Sequence, residues 1–539
     1  MAIIDHFPKN FTPLAQQTEI LEQIETAYKE GYKYVICCAP TGSGKSFIPK
    51  TLANSSKSPS ARFVQLIESN EAFDMSQGGG YVNEEECMKQ PKFGAFALTI
   101  TKTLQDQYKY LFNDSEILKG KSNYQCMVDD QYTVDIAPCI FLPKLKDECM
   151  ECNKCVYYNI RKDMLINKFS ILNYSMFLSL PDHVKQREYM ICDEASELED
   201  EIVKRFSRLI NKKIIAKINC DKSPPIHDYS KFYIWLQGFA IALLDEVASI
   251  EKQLKKKTKE ITVAERQRLM LFKSLQHSLE LTLNTWKECE YIVEMVDDGI
   301  KLTPLKINTL ANHIFEHAEK VLLMSATIID PANFAKTLGI EKYKYIEVDS
   351  TFSPKKAPIF ATTKIKLNYK NLTSHLPFIA KQIGEIVAKH KGEKGIIHTH
   401  TGAITSFLQD NLRGNRYLFR VTGSTNADIL GEHIKSTEDT VLVSPSLTFG
   451  VDLKDNLARF QIIVKAPWMP LGDERVKRLF NEDGVWYQNK MLSHVIQACG
   501  RGIRTKDDHC VTYILDGTIT DSILKNKSKL PKYFLNRFN

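Results

Sequence analysis

The sequence predicts an α/β protein with parallel sheets in more than one domain, and three observations carry that prediction. Seven short apolar runs stand directly before motif-like loops: Y-V-I-C-C (34–38), Y-M-I-C (189–192), V-L-L-M (321–324), G-I-I-H (395–398), V-L-V (441–443), Q-I-I-V (461–464) and V-T-Y-I-L (511–515). Such runs alternating with longer helical patterns read as buried parallel strands. A chain of 539 residues exceeds what one hydrophobic core holds and should divide into about three to five domains. Between about 200 and 300 the texture turns helical, in W-L-Q-G-F-A-I-A-L-L-D-E-V-A-S-I-E-K-Q-L and A-E-R-Q-R-L-M-L-F-K-S-L-Q-H-S-L-E-L-T-L. Apolar residues recur there at three and four, so a helical insertion is expected between two strands of the first α/β domain.

Composition bounds the function classes. With 43% hydrophobic and 25% charged residues, disorder cannot be the dominant state. A formal charge of +7 permits a polyanionic partner without demanding one. The N-terminal M-A-I-I-D-H-F-P-K-N lacks the basic and apolar regions of a signal peptide. No apolar run is expected to reach a membrane span. The expected setting is intracellular: cytoplasmic, or nuclear in a eukaryote. The L-K-K-K-T-K run at 254–259 reads as a solvated helix face. The segment 54–92, with S-S-K-S-P-S and S-Q-G-G-G, has weak periodicity and is expected to form an irregular surface excursion.

The chemistry begins at A-P-T-G-S-G-K-S, residues 39–46, after the first strand. Gly42 and Gly44 allow the backbone N–H groups of Ala39, Thr41, Ser43 and their neighbours to wrap phosphates, with Pro40 adding a fixed turn and a helix N-terminus its dipole. Lys45 would reach the β- and γ-phosphates, and the Ser46 hydroxyl would ligate Mg²⁺. Y-M-I-C-D-E-A-S (189–196) places two adjacent acids at a strand end. Asp193 suits magnesium, and Glu194 suits orienting and deprotonating water. M-S-A-T-I (324–328) ends another strand, and Q-A-C-G-R-G-I-R (497–504) sets Arg501 and Arg504 three apart. Arginines on one face make a fork for phosphate oxygens. Coming from another domain, they would make hydrolysis depend on closure.

Five cysteines crowd into 126–155: Cys126, Cys139, Cys149, Cys152 and Cys155. Inside a reducing compartment such a cluster suggests a metal before disulfides. Four thiolates can hold Zn²⁺ or a 4Fe–4S cluster. Zinc ribbons favour two close pairs, and here only Cys152 and Cys155 form one. The scattered spacing fits a cluster, with zinc as the alternative. Cys37, Cys38, Cys192 and Cys499 lie in strands or beside motifs and read as small buried hydrophobes.

Taken in order, A-P-T-G-S-G-K-S, D-E-A-S, S-A-T and Q-A-C-G-R-G-I-R resemble motifs I, II, III and VI of superfamily 2 helicases. K-G-I-I-H-T-H (394–400) is similar to motif IV and S-P-S-L-T-F-G-V-D-L (444–453) to motif V. L-K-G-K-S-N-Y-Q-C (118–126), C-V-Y-Y and I-L-N-Y-S-M-F-L (171–178) resemble the iron–sulfur helicases related to XPD and DinG. The resemblance runs from about residue 11 to 517.

It implies two RecA-like domains with parallel sheets, the first interrupted by a small iron–sulfur domain and a helical arch. The implied division gives domain 1 residues 1–113 (with 54–92 inserted), 161–200 and 304–340. The cluster domain takes 114–160, the arch 201–303, and domain 2 residues 341–539. The implied activity is an ATP-dependent helicase moving 5′ to 3′ on single-stranded DNA and unwinding duplexes, with single-stranded, forked or 5′-tailed DNA as partner and no membrane. The protein is expected to act as a monomer. A single-stranded-DNA-dependent ATPase that strips nucleoprotein without processive unwinding is the alternative.

Residue by residue, Gln17 would read adenine, and Thr101, Thr103 and Gln107 in T-I-T-K-T-L-Q-D-Q would touch the strand backbone. Gly450 and Asp452 would couple nucleotide to DNA, Ser325, Ala326 and Thr327 would couple hydrolysis to motion, and Gln497, Arg501 and Arg504 would close on the phosphates. The implied cluster ligands are Cys126, Cys139 and Cys155, with Cys149 as the third in sequence and Cys152 as its alternative. Three positions depart from the family pattern: Ser196 replaces the last histidine of DEAH, Leu14-Ala15-Gln16-Gln17 replaces R-P-x-Q, and Phe449 replaces an acid.

Overall fold

The computed structural model describes residues 1–73, 81–140, 145, 148–149, 154–218, 224–255, 261–420, 426–445, 453, 455–503 and 508–538. All seven apolar runs are strands. The first five strands are β1 (Tyr34–Cys38), β2 (Ala95–Thr99), β3 (Glu116–Ile117), β4 (Phe169–Asn173) and β5 (Arg187–Asp193). Then come β6 (Arg208–Asn211), β7 (Tyr291–Val296), β8 (Gly299–Pro304), β9 (Ala318–Ser325) and β10 (Tyr343–Glu347). The second half adds β11 (Ile359–Ala361), β12 (Gly395–His398), β13 (Tyr417–Phe419), β14 (Val441–Ser444), β15 (Phe460–Ile463) and β16 (Val511–Ile514).

Two parallel sheets organise the molecule, in the orders β10-β1-β9-β5-β2-β4-β3 and β11-β16-β15-β12-β14-β13. Every residue of β2 and of β12 is buried, as expected where helices cover both faces of a parallel sheet. In the first sheet β1 lies between β9 and β10, and β5 between β9 and β2. The loops after β1, β5 and β9 therefore emerge side by side at the carboxyl edge, where open α/β sheets bind ligands.

Three expectations need correcting. Segment 54–92 is not irregular throughout: Ala61–Glu68 and Glu84–Met88 are helices, burying Phe63, Leu66, Ile67 and Cys87. Their short length hid the periodicity; residues 74–80 lie outside the described residues. The first domain also runs past 340, because β10 pairs in parallel with β1. Third, the arch region is not purely helical. The helices Tyr229–Lys255 and Val263–Thr285 stand beside a three-stranded antiparallel sheet, β6-β8-β7. Its signal was in the sequence, since Asp298-Gly299 between alternating strands marks a tight hairpin. Gly299 has φ 150° and sits so close to β6 that a Cβ would lie 2.1 Å from the Ile210 carbonyl oxygen.

The helix Tyr229–Leu254 is long and apolar enough by length and composition to cross a membrane, which counting uninterrupted apolar runs did not anticipate. It packs Phe232, Leu236, Phe239 and Leu243 into the core. At its base Trp286 stacks on Tyr229, Tyr233 and Tyr291 at 4.9, 5.4 and 5.2 Å. The arch also reaches the cysteine-bearing segment, where Arg266 lies over Tyr132 and donates to the Ile136 carbonyl at 3.2 Å. The basic run at 256–260 lies outside the described residues.

A buried ion network joins the two sheet domains. Glu199, on the helix Leu198–Phe206 that follows D-E-A-S, meets Arg475 at 2.6 Å and Lys490 at 2.9 Å. Trp486 Nε1 donates to the same carboxylate at 3.0 Å. Arg475, Trp486 and Lys490 lie on the helices Glu474–Glu482 and Gly484–Cys499 of the second domain. The two cations hold the Glu199 carboxyl down at about 2 against the cost of its burial.

Candidate nucleotide site between the two sheet domains

The loop 39–46 leaves β1 and enters the helix Phe47–Ser55, which starts at Phe47, just past the motif. Gly42 and Gly44 take φ 81° and 72°, a region glycine enters freely. A Cβ at Gly44 would lie 2.1 Å from Gln17 Nε2 and displace that side chain, while the positive φ by itself calls for glycine. Gln17 is buried, donating to the Gly44 carbonyl at 3.0 Å and accepting from the Leu14 N–H at 2.8 Å. In this arrangement its amide braces the loop, and contact with a base requires it to leave Gly44.

Lys45 Nζ lies 3.2 Å from the Ala39 carbonyl and 4.0 Å from Glu194. Asp193 ends β5 in the core. Burial and the neighbouring Glu194 charge raise its carboxyl to about 6, against the pull of Lys45. Glu194 follows in the left-handed region, φ 51° and ψ 47°, which turns its side chain out of the strand while Asp193 stays in. One acid is thus buried and the other reaches the cavity.

Tyr108 is the site residue that sequence reasoning missed. Its hydroxyl donates to Asp193 Oδ2 at 2.9 Å and also faces the Ser46 side chain. The two candidate magnesium ligands therefore converge on one buried phenol, which burial and then the Asp193 charge keep protonated. Hard oxygen donors at this spot suit Mg²⁺.

Beyond Glu194 runs a chain of hydroxyls. Ser325 Oγ lies 3.4 Å from Glu194 Oε2 and 3.0 Å from Ser196 Oγ. Thr327 Oγ1 lies 3.0 Å from Ser196. Gln497 Nε2, from the second domain, donates to Glu197 at 2.8 Å and reaches Ser196 and Thr327 at 3.3 and 3.4 Å. Ser196 therefore occupies the junction of three motifs. Ala326 sits between Ser325 and Thr327 with its carbonyl bonded to the Tyr533 hydroxyl.

Glu194, Glu197, Ala326, Thr327 and Gln497 face a cavity of about 390 Å³. Its walls include Pro40, Thr41 and Gly42 on one side and Gln497, Gly500 and Arg501 on the other. Thr101, Thr103 and Gln107 line the same cavity, and Thr101 Oγ1 also caps the helix Lys102–Leu111. Ser43 is buried below the loop, its hydroxyl on the Pro40 carbonyl at 2.8 Å. Arg504, Gly450, Asp452 and Phe449 lie outside the described residues.

The cysteine segment packs beside the first sheet. Cys126, Cys139, Cys149 and Cys155 are all buried; Cys152 lies outside the described residues. Burial pushes the Cys139 thiol up to about 11, and Cys149, Cys126 and Cys155 lie near enough to push it the same way. Cys155 caps the helix Val156–Ile166. Among the described residues no three His, Cys, Asp or Glu side chains converge as on a single metal ion. Cys37, Cys38 and Cys192 are buried in strands, their thiols raised by burial to about 12, and Cys499 to about 11.

Comparison with known proteins agrees with this geometry. Residues 397–536 match the helicase C-terminal domain family. No curated protein sequence matches the chain. A solved XPD helicase structure is similar over 96% of this chain and 99% of its own, at 15% identity and TM-score 0.60. An apo XPD structure covers the same shares at 15% identity and 0.54. S. tokodaii Xpd4 is similar over 95% of this chain and 97% of its own, at 13% identity and 0.55. The chain therefore has the fold of the XPD helicase structures, and residues 397–536 of its second sheet domain belong to the helicase C-terminal domain family.

Proposed function

We propose that the protein is an ATP-dependent DNA helicase that moves 5′ to 3′ on single-stranded DNA and opens duplexes, with a 4Fe–4S cluster in the segment 126–155. The observation that carries the ATPase is that Glu194, the loop residues Pro40–Gly42 and the Gln497–Arg501 turn line one cavity between two domains, with Lys45 4.0 Å from Glu194 and Asp193 buried beside it. Ser46 and Asp193 would hold Mg²⁺, whose charge would offset that developing on the phosphates. Lys45 would pair the phosphates, Glu194 would take a proton from the attacking water, and Arg501 would meet the transferred group from across the cleft.

Direction and substrate rest on the XPD-like fold and motif order. Unwinding of matched tailed duplexes by protein purified without oxygen tests them. Strand displacement on the 5′-tailed duplex and none on the 3′-tailed one is expected; activity confined to the 3′-tailed duplex overturns the polarity. Displacement of a bound protein without any strand separation favours the stripping ATPase instead.

The cluster supplies a rigid, redox-active knot when bound, and Cys126, Cys139, Cys149 and Cys155 would hold it. Serine at each of the four is expected to abolish visible absorbance and bound iron, whereas Cys152→Ser keeps both. A coloured, iron-replete Cys149→Ser protein would move the third ligand to Cys152.

A further inference from the structure

After the helix Gly517–Lys525 the chain crosses the back of the nucleotide cavity twice. It first binds the first domain. Lys529 Nζ pairs with Asp330 at 2.5 Å, and the Lys532 N–H donates to Glu347 Oε1 at 2.7 Å. The Tyr533 hydroxyl donates to the Ala326 carbonyl at 2.5 Å. The chain then returns to the second domain. Arg537 Nε donates to the Ala357 carbonyl at 2.8 Å and Nη2 to the Cys499 carbonyl at 3.0 Å. Its own carbonyl accepts from Ile359 at 2.8 Å, and Phe538 bridges Ile359 in parallel.

The segment 529–537 is tied at both walls of one cavity. Tyr533 and Arg537 are each about 9% exposed, and both line that cavity. The two acceptors they choose matter more than their number. Ala326 lies between Ser325 and Thr327, just past the end of β9, and its carbonyl also accepts from the Cys38 thiol at 3.6 Å. Cys499 is the last residue of the helix Gly484–Cys499, so its carbonyl is one of those a helix leaves without an internal partner. A guanidinium there satisfies that oxygen and favours the negative end of the helix dipole. Gly500 and Arg501 follow at once, and Gly500 faces Thr41 of the phosphate loop, whose Oγ1 would lie 3.9 Å from a Cβ built there.

We propose that Tyr533 and Arg537 are positioning residues of the nucleotide site. They are the two ends of a strap that holds Ser325–Thr327 and Gly500–Arg501 in register across the cleft. The proposal rests on reading the cleft as an ATPase site.

The test uses Tyr533→Phe and Arg537→Met in the full chain, with Arg537→Lys as the conservative variant. Thermal midpoint reports folding, a fluorescent ATP analogue reports affinity, and steady-state turnover with single-stranded DNA separates kcat from KM. Both variants are expected to keep their thermal midpoints and nucleotide affinity while kcat falls by about tenfold, since small misplacements of reacting groups are costly. Arg537→Lys recovers part of the loss, and the double variant loses less than the product of the singles. Unchanged kcat in folded variants overturns the proposal, as does a rise in KM alone or a loss that follows the thermal midpoint. If Arg537→Met fails to fold, Tyr533→Phe carries the test alone. If the wild type hydrolyses no ATP, the ATPase reading fails by itself, and hydrogen exchange then reads the strap. Faster exchange at both 326–328 and 500–501 in the Tyr533→Phe protein supports it, and a change confined to 326–328 overturns it.

Discussion

Glu194→Gln is expected to lower ATP turnover by about 10²–10⁴-fold, the usual contribution of a positioned general base. Glutamine keeps the length of the side chain and can still accept from Ser325, 3.4 Å away. Asp193 keeps its carboxylate and its bond from Tyr108, losing only the neighbouring charge that raises it. What disappears is a carboxylate 4.0 Å from Lys45, able to take a proton from water. ATP affinity should therefore remain close to wild type while kcat collapses. Binding measured with a fluorescent analogue and turnover measured by phosphate release separate the two. Wild-type turnover in the glutamine variant would remove Glu194 from the chemistry.

Glu199→Ala is expected to cost about 3–5 kcal/mol, the range for removing one partner from a buried ion pair. The residue looks like one more acid in L-E-D-E, but its side chain is 7% exposed and closes on Arg475 and Lys490. Alanine leaves two cations desolvated at the seam between the sheet domains, with Asp200, 3.1 Å from Lys490, and the Pro304 and Leu305 carbonyls, 3.0 and 3.1 Å from Arg475, as partial compensation. The urea midpoint at neutral pH reports the loss. A pH series adds a second signature. The folded-state pKa of Glu199 lies at about 2, below its ordinary 4.5, so its contribution is present above 4.5 and fades as pH falls from there toward 2. The wild type should lose stability over that window more steeply than the variant. Parallel curves would show that Glu199 is not what ties the domains.

Much of the fold was legible because its signals are local. A strand buried on both faces must be apolar throughout, so β1, β5, β9, β12, β14, β15 and β16 announced themselves. A phosphate loop needs Gly42, Gly44, Lys45 and Ser46 within a few residues, and an acidic pair at a strand end needs only Asp193 and Glu194. The short helices Ala61–Glu68 and Glu84–Met88 were missed because neither is long enough to display a helical period. The hairpin at Asp298-Gly299 was missed although its turn was written plainly, because two strong helical patterns stood beside it. The helix at 229–254 alternates polar and apolar residues too closely for a run count, yet an 18-residue window within it has a mean hydropathy of 1.3.

The sequence by itself determined the two parallel-sheet domains, the phosphate loop, the acidic pair, the serine–alanine–threonine turn and the cysteine cluster, since contiguous residues specify each of them. Only the tertiary structure decided that Tyr108 bridges Ser46 and Asp193, that Gln17 braces Gly44, that Ser196 joins Ser325 to Gln497, and that Tyr533 and Arg537 reach the same cavity. Tyr108 finds its acid 85 positions away, and Tyr533 its carbonyl 207 positions away. No spacing rule covers such pairs: the partner is chosen by how the sheets stack their loops, and buried polar groups take whatever donor or acceptor that packing brings within reach.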